Sequence, residues 1–226
     1  MLDFDGTLAD IVPRPEHARP VDGAREMLAD LAGRYRVVAI VTGRGSEDVA
    51  SLIDVPHVEY VGLYGFEGDA PELLTAVAPR AGEAAGIVPE AWVEDKGSSV
   101  AVHYRQAPDP KAARAALLVA LQPVATESGL DLIEGKMVIE LVPPGRSMKG
   151  AAVERLVGEH GLEAVLYAGD DHADLDAFGA LERLASAGLV TIRVAVRGDE
   201  TPQALIEAAD LVCSEPVDLV RVLRTL

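Results

Sequence analysis

The stretch Asp3-Phe4-Asp5-Gly6-Thr7-Leu8 sets two carboxylates two residues apart and runs them into a glycine. Met1–Phe4 reads as the end of a strand, so Asp3 and Asp5 leave it at its carboxyl end. Gly6 has no Cβ to oppose a sharp turn of the backbone. Aspartate is disfavoured inside strands, and ligands of open α/β sheets bind beyond the carboxyl ends of the strands. A polar turn would explain these residues taken alone; the rest of the chain gives them a chemical reading. Only Met1 and Leu2 precede Asp3, whereas a strand usually has roughly five or six residues. A trimmed N-terminus, or a natural start other than Met1, is therefore expected.

Working outward, Ala9–Pro20 is rich in Pro, Arg and Asp and reads as an irregular loop. Asp22–Ala32 carries Ala24, Met27, Leu28 and Leu31 at helical spacing. Tyr35–Val41 is a nearly all-apolar run, as a parallel strand buried on both faces requires. It ends in Thr42-Gly43-Arg44-Gly45, and Ser46 is placed to cap a helix through about Ile53. His57–Val61 reads as a third strand. The alternation predicts an α/β fold with a doubly wound parallel sheet.

The pattern then changes. A helix over 71–85, extended runs over 92–96 and 98–105, a helix over 110–121, and runs over 130–134 and 136–142 predict an α+β module built on two hairpins. The alternation resumes with helix 148–159, strand 164–168, helix 173–184, strands 191–196 and 210–213, and a last helix from Val217. The expected division is a split core, 1–69 and 146–226, with an insert at 70–145.

The chain has 226 residues, is 49% apolar and carries a net charge of −17. Nucleic acid and anionic membranes need a basic surface, so neither is an expected partner. No run of 18 or more apolar residues marks a membrane span. The single Cys213 forms no internal disulfide, which fits a reducing, cytoplasmic setting.

Three further stretches carry chemistry. The hydroxyl of Thr42 and the amides of Gly43 and Arg44 can hold a phosphate oxygen at a helix N-terminus. Lys149 stands at a helix start, where the helix dipole disfavours a cation, so an anion is expected to pair with it. In Gly169-Asp170-Asp171-His172-Ala173-Asp174, three carboxylates within five residues repel one another unless a cation lies among them. A hard cation such as Mg²⁺ suits aspartate oxygens.

In this order the four pieces resemble the motifs of the haloacid dehalogenase superfamily, the first being D-x-D-G-T-L. The resemblance implies a Rossmann-like core with an inserted cap and a covalent route of phosphoryl transfer. Asp3 would attack phosphorus and Asp5 would act as general acid and base. Thr42 and Lys149 would steady the charge. Mg²⁺ would be held by Asp3, Asp170 and the Asp5 carbonyl, with Asp171 and Asp174 supporting the site.

A second resemblance covers nearly the whole chain. Asp5-Gly6-Thr7-Leu8, Glu94-Asp95-Lys96-Gly97-Ser98-Ser99, His103-Tyr104-Arg105, Gly135-Lys136-Met137-Val138-Ile139-Glu140 and Gly169-Asp170-Asp171 through Asp174 are similar to motifs of the trehalose-6-phosphate phosphatases. It implies sugar recognition by Glu94, Lys96, Arg105, Lys136 and Glu140. On strands, Lys136 with Glu140 and Glu94 with Lys96 would each share a face. Trp92 and Tyr104 suit either stacking on a sugar or packing in the core of the insert, and packing is the expectation. The family usually has H-G-x-E where this chain has Tyr64-Gly65-Phe66-Glu67. The expected partner is a small-molecule sugar phosphate, bound by a monomer. Other readings are a phosphatase of mannosyl- or glucosyl-3-phosphoglycerate and a non-catalytic sugar-phosphate-binding module. Gly68 with Asp69, and Pro143–Gly145, are the expected hinges.

Overall fold

The computed structural model describes residues 1–63, 71–96, 99–143 and 149–226, without the side chains of 71–73. Tyr64–Asp69 and Pro144–Gly145, which include the family departure and most of the expected hinges, lie outside these residues. The elements run α1 Ala24–Arg34, β1 Ala39–Val41, α2 Ser46–Ile53, β2 Glu59–Val61, α3 Pro71–Ala85, β3 Trp92–Asp95, β4 Val100–His103, α4 Pro110–Ser128, β5 Asp131–Gly135, β6 Val138–Val142, α5 Lys149–His160, β7 Ala164–Gly169, α6 His172–Ser186, β8 Val190–Val196, α7 Gln203–Ala208, β9 Leu211–Cys213 and α8 Pro216–Leu223. A short 3-10 turn, Pro15–His17, interrupts the loop after the first motif. The chain divides into two compact units, Met1–Gly65 with Ser147–Leu226, and Phe66–Arg146.

In the first unit β1 pairs with β2, and β7, β8 and β9 pair in that order, all in parallel. Residues 1–3 join the two sets. Leu2 bridges Ile40 on one side and Ala168 on the other, both in parallel. Its N–H donates to Ala39 O at 2.9 Å, and Asp3 N–H donates to Ala168 O at 2.9 Å. The chain thus steps outward on one side through β1 and β2, and returns to the other side at β7. Asp3 therefore leaves the sheet where the strand order reverses, the place where doubly wound folds bind ligands.

Alternation along these strands feeds two cores. Val38, Ile40, Val194 and Val196 pack with Met27, Leu28 and Leu31 of α1, Val49 and Ile53 of α2, and Leu219 and Leu223 of α8. Ala39, Val41, Val165 and Tyr167 pack with Val153 and Leu156 of α5, Phe178 and Leu181 of α6, and Leu205 of α7. Helices cover both faces, as the apolar strands require.

The expected strand Tyr35–Val41 is ordered as a ladder only over Ala39–Val41. Its neighbours on both sides, residues 1–3 and Glu59–Val61, are themselves short, and a ladder extends only as far as its partners. Ser46 does not cap α2: the N-cap is Gly45, and no side-chain cap bond forms. Helix α7 was not expected; six residues with Leu205 as the one buried position carry too little periodicity to be seen. Helix α4 runs past the expected stop at Leu121 to Ser128, through Pro123. Val124 and Ala125 are buried beyond the proline, and Gly129 ends the helix in the left-handed conformation.

In the second unit the two expected hairpins merge into one antiparallel sheet of order β3-β4-β6-β5. One face carries Val100, Val102, Ile139 and Leu141, packed against Leu74, Val77 and Ala81 of α3 and Leu117 and Leu121 of α4. Tyr104 is buried in that core. Trp92 is not: it pairs across the sheet with His103 and lies on the opposite face. That placement corrects the expected packing of Trp92 in the core.

Candidate active site

Four short segments of the first unit bring the expected acids and lysine together. Gly6 turns the chain after Asp5 with φ +84°, so Thr7 folds back beneath Asp3. The Thr7 hydroxyl lies 3.2 Å from Asp170 Oδ1 and 3.5 Å from Asp3 Oδ2. Asp3, Asp170 and Asp174 are buried, and one carboxylate oxygen of each lies within 4.8 Å of the others. Asp3 is more than 160 positions from Asp170 and Asp174 in sequence; adjacent parallel strands bring it to them.

Lys149, the first residue of α5, is 1% exposed. Its Nζ lies 2.7 Å from Asp174 Oδ1, 2.8 Å from Asp3 Oδ1 and 4.0 Å from Asp171 Oδ1. Burial alone would lower its pKa, but Asp174 and Asp3 outweigh it and raise the value well above that of an ordinary lysine. The anion expected beside a lysine at a helix start is thus supplied by the protein itself, as Asp3 and Asp174.

Asp174 accepts four hydrogen bonds. Lys149 and the Tyr167 hydroxyl both donate to Oδ1 at 2.7 Å, and the amides of Asp170 and Asp171 donate to Oδ2 at 2.8 and 2.9 Å. Burial pushes its carboxyl up to about 6, against the pull of Lys149. With every oxygen engaged, Asp174 shapes the loop and orients Lys149; Asp3 and Asp170 are better placed to face a cation. Gly169 makes this possible: a Cβ there would stand 2.1 Å from Asp174 Cγ. Asp171 caps α6 by accepting from the amides of Ala173 and Asp174, and the Asp174 side chain completes the reciprocal box.

Thr42 follows β1 and is buried; its Oγ accepts from the Arg44 amide at 3.2 Å. The Arg44 side chain takes up Asp5. Its Nε and one terminal nitrogen donate to the two Asp5 oxygens at 2.7 Å each, and the other terminal nitrogen donates to Pro15 O at 2.9 Å. The guanidinium also lies 5.3 Å from the centre of the Phe4 ring. The sequence reading assigned Arg44 only through its amide and missed this fork. Thr7 and Tyr167 were also missed. Thr7 carries a signal, a hydroxyl inside the first motif; Tyr167 carries a weaker one, a phenol in an otherwise apolar strand.

In the second unit, Glu94, His103 and Glu140 share the face that carries Trp92. The His103 ring stacks on Trp92, with centroids 4.1 Å apart and planes 9° from parallel, and its Nε2 lies 2.8 Å from Glu94 Oε2. Lys96 pairs with Glu140. Arg105 donates to Lys136 O at 3.0 Å. Lys136 lies in the turn before β6 rather than on a strand with Glu140, because the positive φ of Met137 belongs to that turn.

A model of the family described as trehalose-phosphatase matches residues 1–206. The chain belongs to the trehalose-phosphatase family. It is 35% identical over 225 residues to a trehalose-phosphate phosphatase of Mycobacterium avium, covering 90% of this chain and 56% of that protein. The chain spans about half the length of the curated relatives it matches. The fold is that of the C. albicans trehalose-6-phosphate phosphatase C-terminal domain, with a TM-score of 0.81, 23% identity and coverage of 99% and 90%. A haloacid dehalogenase-like hydrolase from Bacteroides thetaiotaomicron shares it at a TM-score of 0.65 and 15% identity, with 99% and 97% of the chains covered. The trehalose-phosphatase family thus carries here the haloacid dehalogenase fold.

Proposed function

We propose that this chain hydrolyses a sugar phosphate monoester, trehalose 6-phosphate, through a phosphoryl group held on Asp3. The observation that carries the reading is the buried arrangement of Asp3 with Lys149 on one oxygen and Thr7 on the other, beside Asp170. It gives one carboxylate a fixed direction at the carboxyl end of the central row of the sheet.

The residues divide the work as follows. An Asp3 oxygen attacks phosphorus, and the bond from phosphorus to the sugar oxygen breaks. Asp5 gives that oxygen a proton, since an alkoxide is a poor leaving group, and later takes a proton from the water that cleaves the aspartyl phosphate. Because both Asp5 oxygens are engaged by Arg44, this proton transfer requires the guanidinium to yield one of them. Thr42 and the amides at the start of α2 meet the phosphate oxygens, and Lys149 holds Asp3 against recoil.

Asp3 and Asp170, with the Asp5 carbonyl, are the groups that would hold Mg²⁺; hard oxygen donors this close together suit it. Once bound, the ion supplies charge to offset the repulsion between an anionic carboxylate and a phosphate dianion. Glu94, Lys96, Arg105, Lys136 and Glu140 would read the sugar hydroxyls through charge-assisted hydrogen bonds.

The test is phosphate release from trehalose 6-phosphate with Mg²⁺ and with EDTA. Release with Mg²⁺ that stops in EDTA and in Asp3→Asn is expected. Faster turnover of mannosyl- or glucosyl-3-phosphoglycerate would reject the trehalose assignment. Binding without turnover in the unmodified chain would favour a sugar-phosphate-binding module.

A further inference from the structure

The backbone of Asp5 is set by its neighbours. Phe4 before it is fully buried, and Gly6 after it turns the chain and donates its N–H to Ala9 O at 2.7 Å. The side chain is not set in that way: 33% of it is exposed, and an aspartate carboxyl turns broadly about its last torsion. A group that gives a proton to a sugar oxygen and then takes one from water needs a fixed direction, since a misplacement of about 1 Å can cost roughly 10²-fold in rate. Arg44 supplies that direction. Its Nε and one terminal nitrogen meet the two Asp5 oxygens at 2.7 Å each, and such a fork sets the plane of the carboxylate as well as its distance.

Arg44 is itself held from several sides. Its other terminal nitrogen donates to Pro15 O at 2.9 Å, and the guanidinium lies over the Phe4 ring at 5.3 Å. Its amide donates to Thr42 Oγ at 3.2 Å, and its carbonyl accepts from the Leu63 amide at 2.8 Å. Gly62 allows the chain to pass this close: a Cβ there would stand 2.8 Å from Arg44 O and 2.2 Å from Ser46 N. Only 14% of the Arg44 side chain is exposed. An arginine placed to attract phosphate would turn its fork toward the anion; this one is turned onto an acid of the protein and anchored there.

We propose that Arg44 is a positioning residue for Asp5, acting through that carboxyl and not on the phosphate. Because a third nitrogen rests on Pro15 O, the guanidinium can release one Asp5 oxygen to carry the proton and keep the other. The carboxyl then holds its plane while the proton passes to the sugar oxygen and is later replaced from water. This inference rests on the reading of the chain as a phosphatase.

The test is a double-variant cycle of Arg44→Met and Asp5→Asn on two esters: trehalose 6-phosphate, and p-nitrophenyl phosphate, whose leaving group needs no proton. Arg44→Met keeps the backbone amide and removes only the fork. On trehalose 6-phosphate it is expected to lower kcat by about 10–10²-fold and to change KM by less than about threefold. On p-nitrophenyl phosphate, followed by stopped flow, the first release of p-nitrophenol stays within about threefold of the unmodified protein, while the later phase, in which Asp5 activates water, slows about tenfold or more. In the Asp5→Asn background Arg44→Met costs less than about twofold more, because two residues that act as one unit are not additive. Arg44→Lys keeps the charge without the fork and recovers little. Equal slowing of both phases, a fully additive loss in the Asp5→Asn background, or full recovery by lysine overturns the assignment. Should circular dichroism show that Arg44→Met does not fold, Arg44→Lys takes its place in the cycle, with the same pattern expected. If p-nitrophenyl phosphate is turned over and trehalose 6-phosphate is not, the trehalose assignment fails alone and the two phases still decide Arg44. If neither ester is hydrolysed by the unmodified chain, the proposed function and the role of Arg44 fall together.

Discussion

Lys149 balances two buried carboxylates, Asp3 and Asp174, at hydrogen-bond distance. Removing one partner of a buried ion pair leaves the other charge uncompensated, at a cost of roughly 3–5 kcal/mol. Lys149→Met is expected to lose that much stability in urea unfolding. The double variant Lys149→Met with Asp174→Asn should lose less than the sum of the two single variants. Asp5 makes a different demand. Asp5→Asn is expected to slow turnover of trehalose 6-phosphate by roughly 10²–10⁴-fold. On p-nitrophenyl phosphate, whose leaving group needs no proton, the same variant should release one burst of p-nitrophenol and then stall; stopped-flow absorbance resolves the two phases. Steady turnover without a burst would place the proton transfer elsewhere. Gly169→Ala forces its new methyl into Asp174; overpacking of this kind costs about 1–3 kcal/mol, and a lower thermal midpoint together with lost activity is the expected result.

At the scale of elements, the site depends on where strands end and helices begin. Residues 1–3, β1 and β7 present Asp3, Thr42 and Asp170 at one edge of the sheet. Helix α6 begins there because Asp171 and Asp174 cap it reciprocally. Helix α4 shows how packing overrides local propensity. Pro123 lacks an amide and crowds the preceding turn, and the expected helix stops short of it at Leu121. Burial of Val124 and Ala125 carries it on to Ser128. Pro123→Ala is therefore expected to stabilise the protein by about 1–3 kcal/mol, measured as a rise in the denaturant midpoint; a fall would show that the proline is needed for the bend of that helix.

Over the whole molecule, a net charge of −17 opposes the approach of a phosphate dianion. Salt screens that field, with a Debye length of about 10 Å at 0.1 M. kcat/KM is therefore expected to rise as NaCl is raised from about 10 to about 150 mM at fixed Mg²⁺, the reverse of an enzyme that steers its substrate by charge. Among the described residues no helix is long and apolar enough to cross a membrane.

Much of this was legible in the chain itself. Period-two and helical patterns report local geometry, so α1, α3, α5 and α6 and both hairpins could be read within a few residues. The order of Asp3, Thr42, Lys149 and Asp170 could be read too, because Asp3 ends a strand that disfavours aspartate and Lys149 opens a helix whose dipole disfavours a cation. Only the tertiary structure decided which side chains meet. Arg44 holds Asp5 across 39 positions, Asp174 collects Lys149 and Tyr167, and Trp92 turns toward His103 and away from the core. Periodicity says which face a residue lies on along its own element; which partner waits on that face depends on how distant strands are ordered, and no local pattern carries that order.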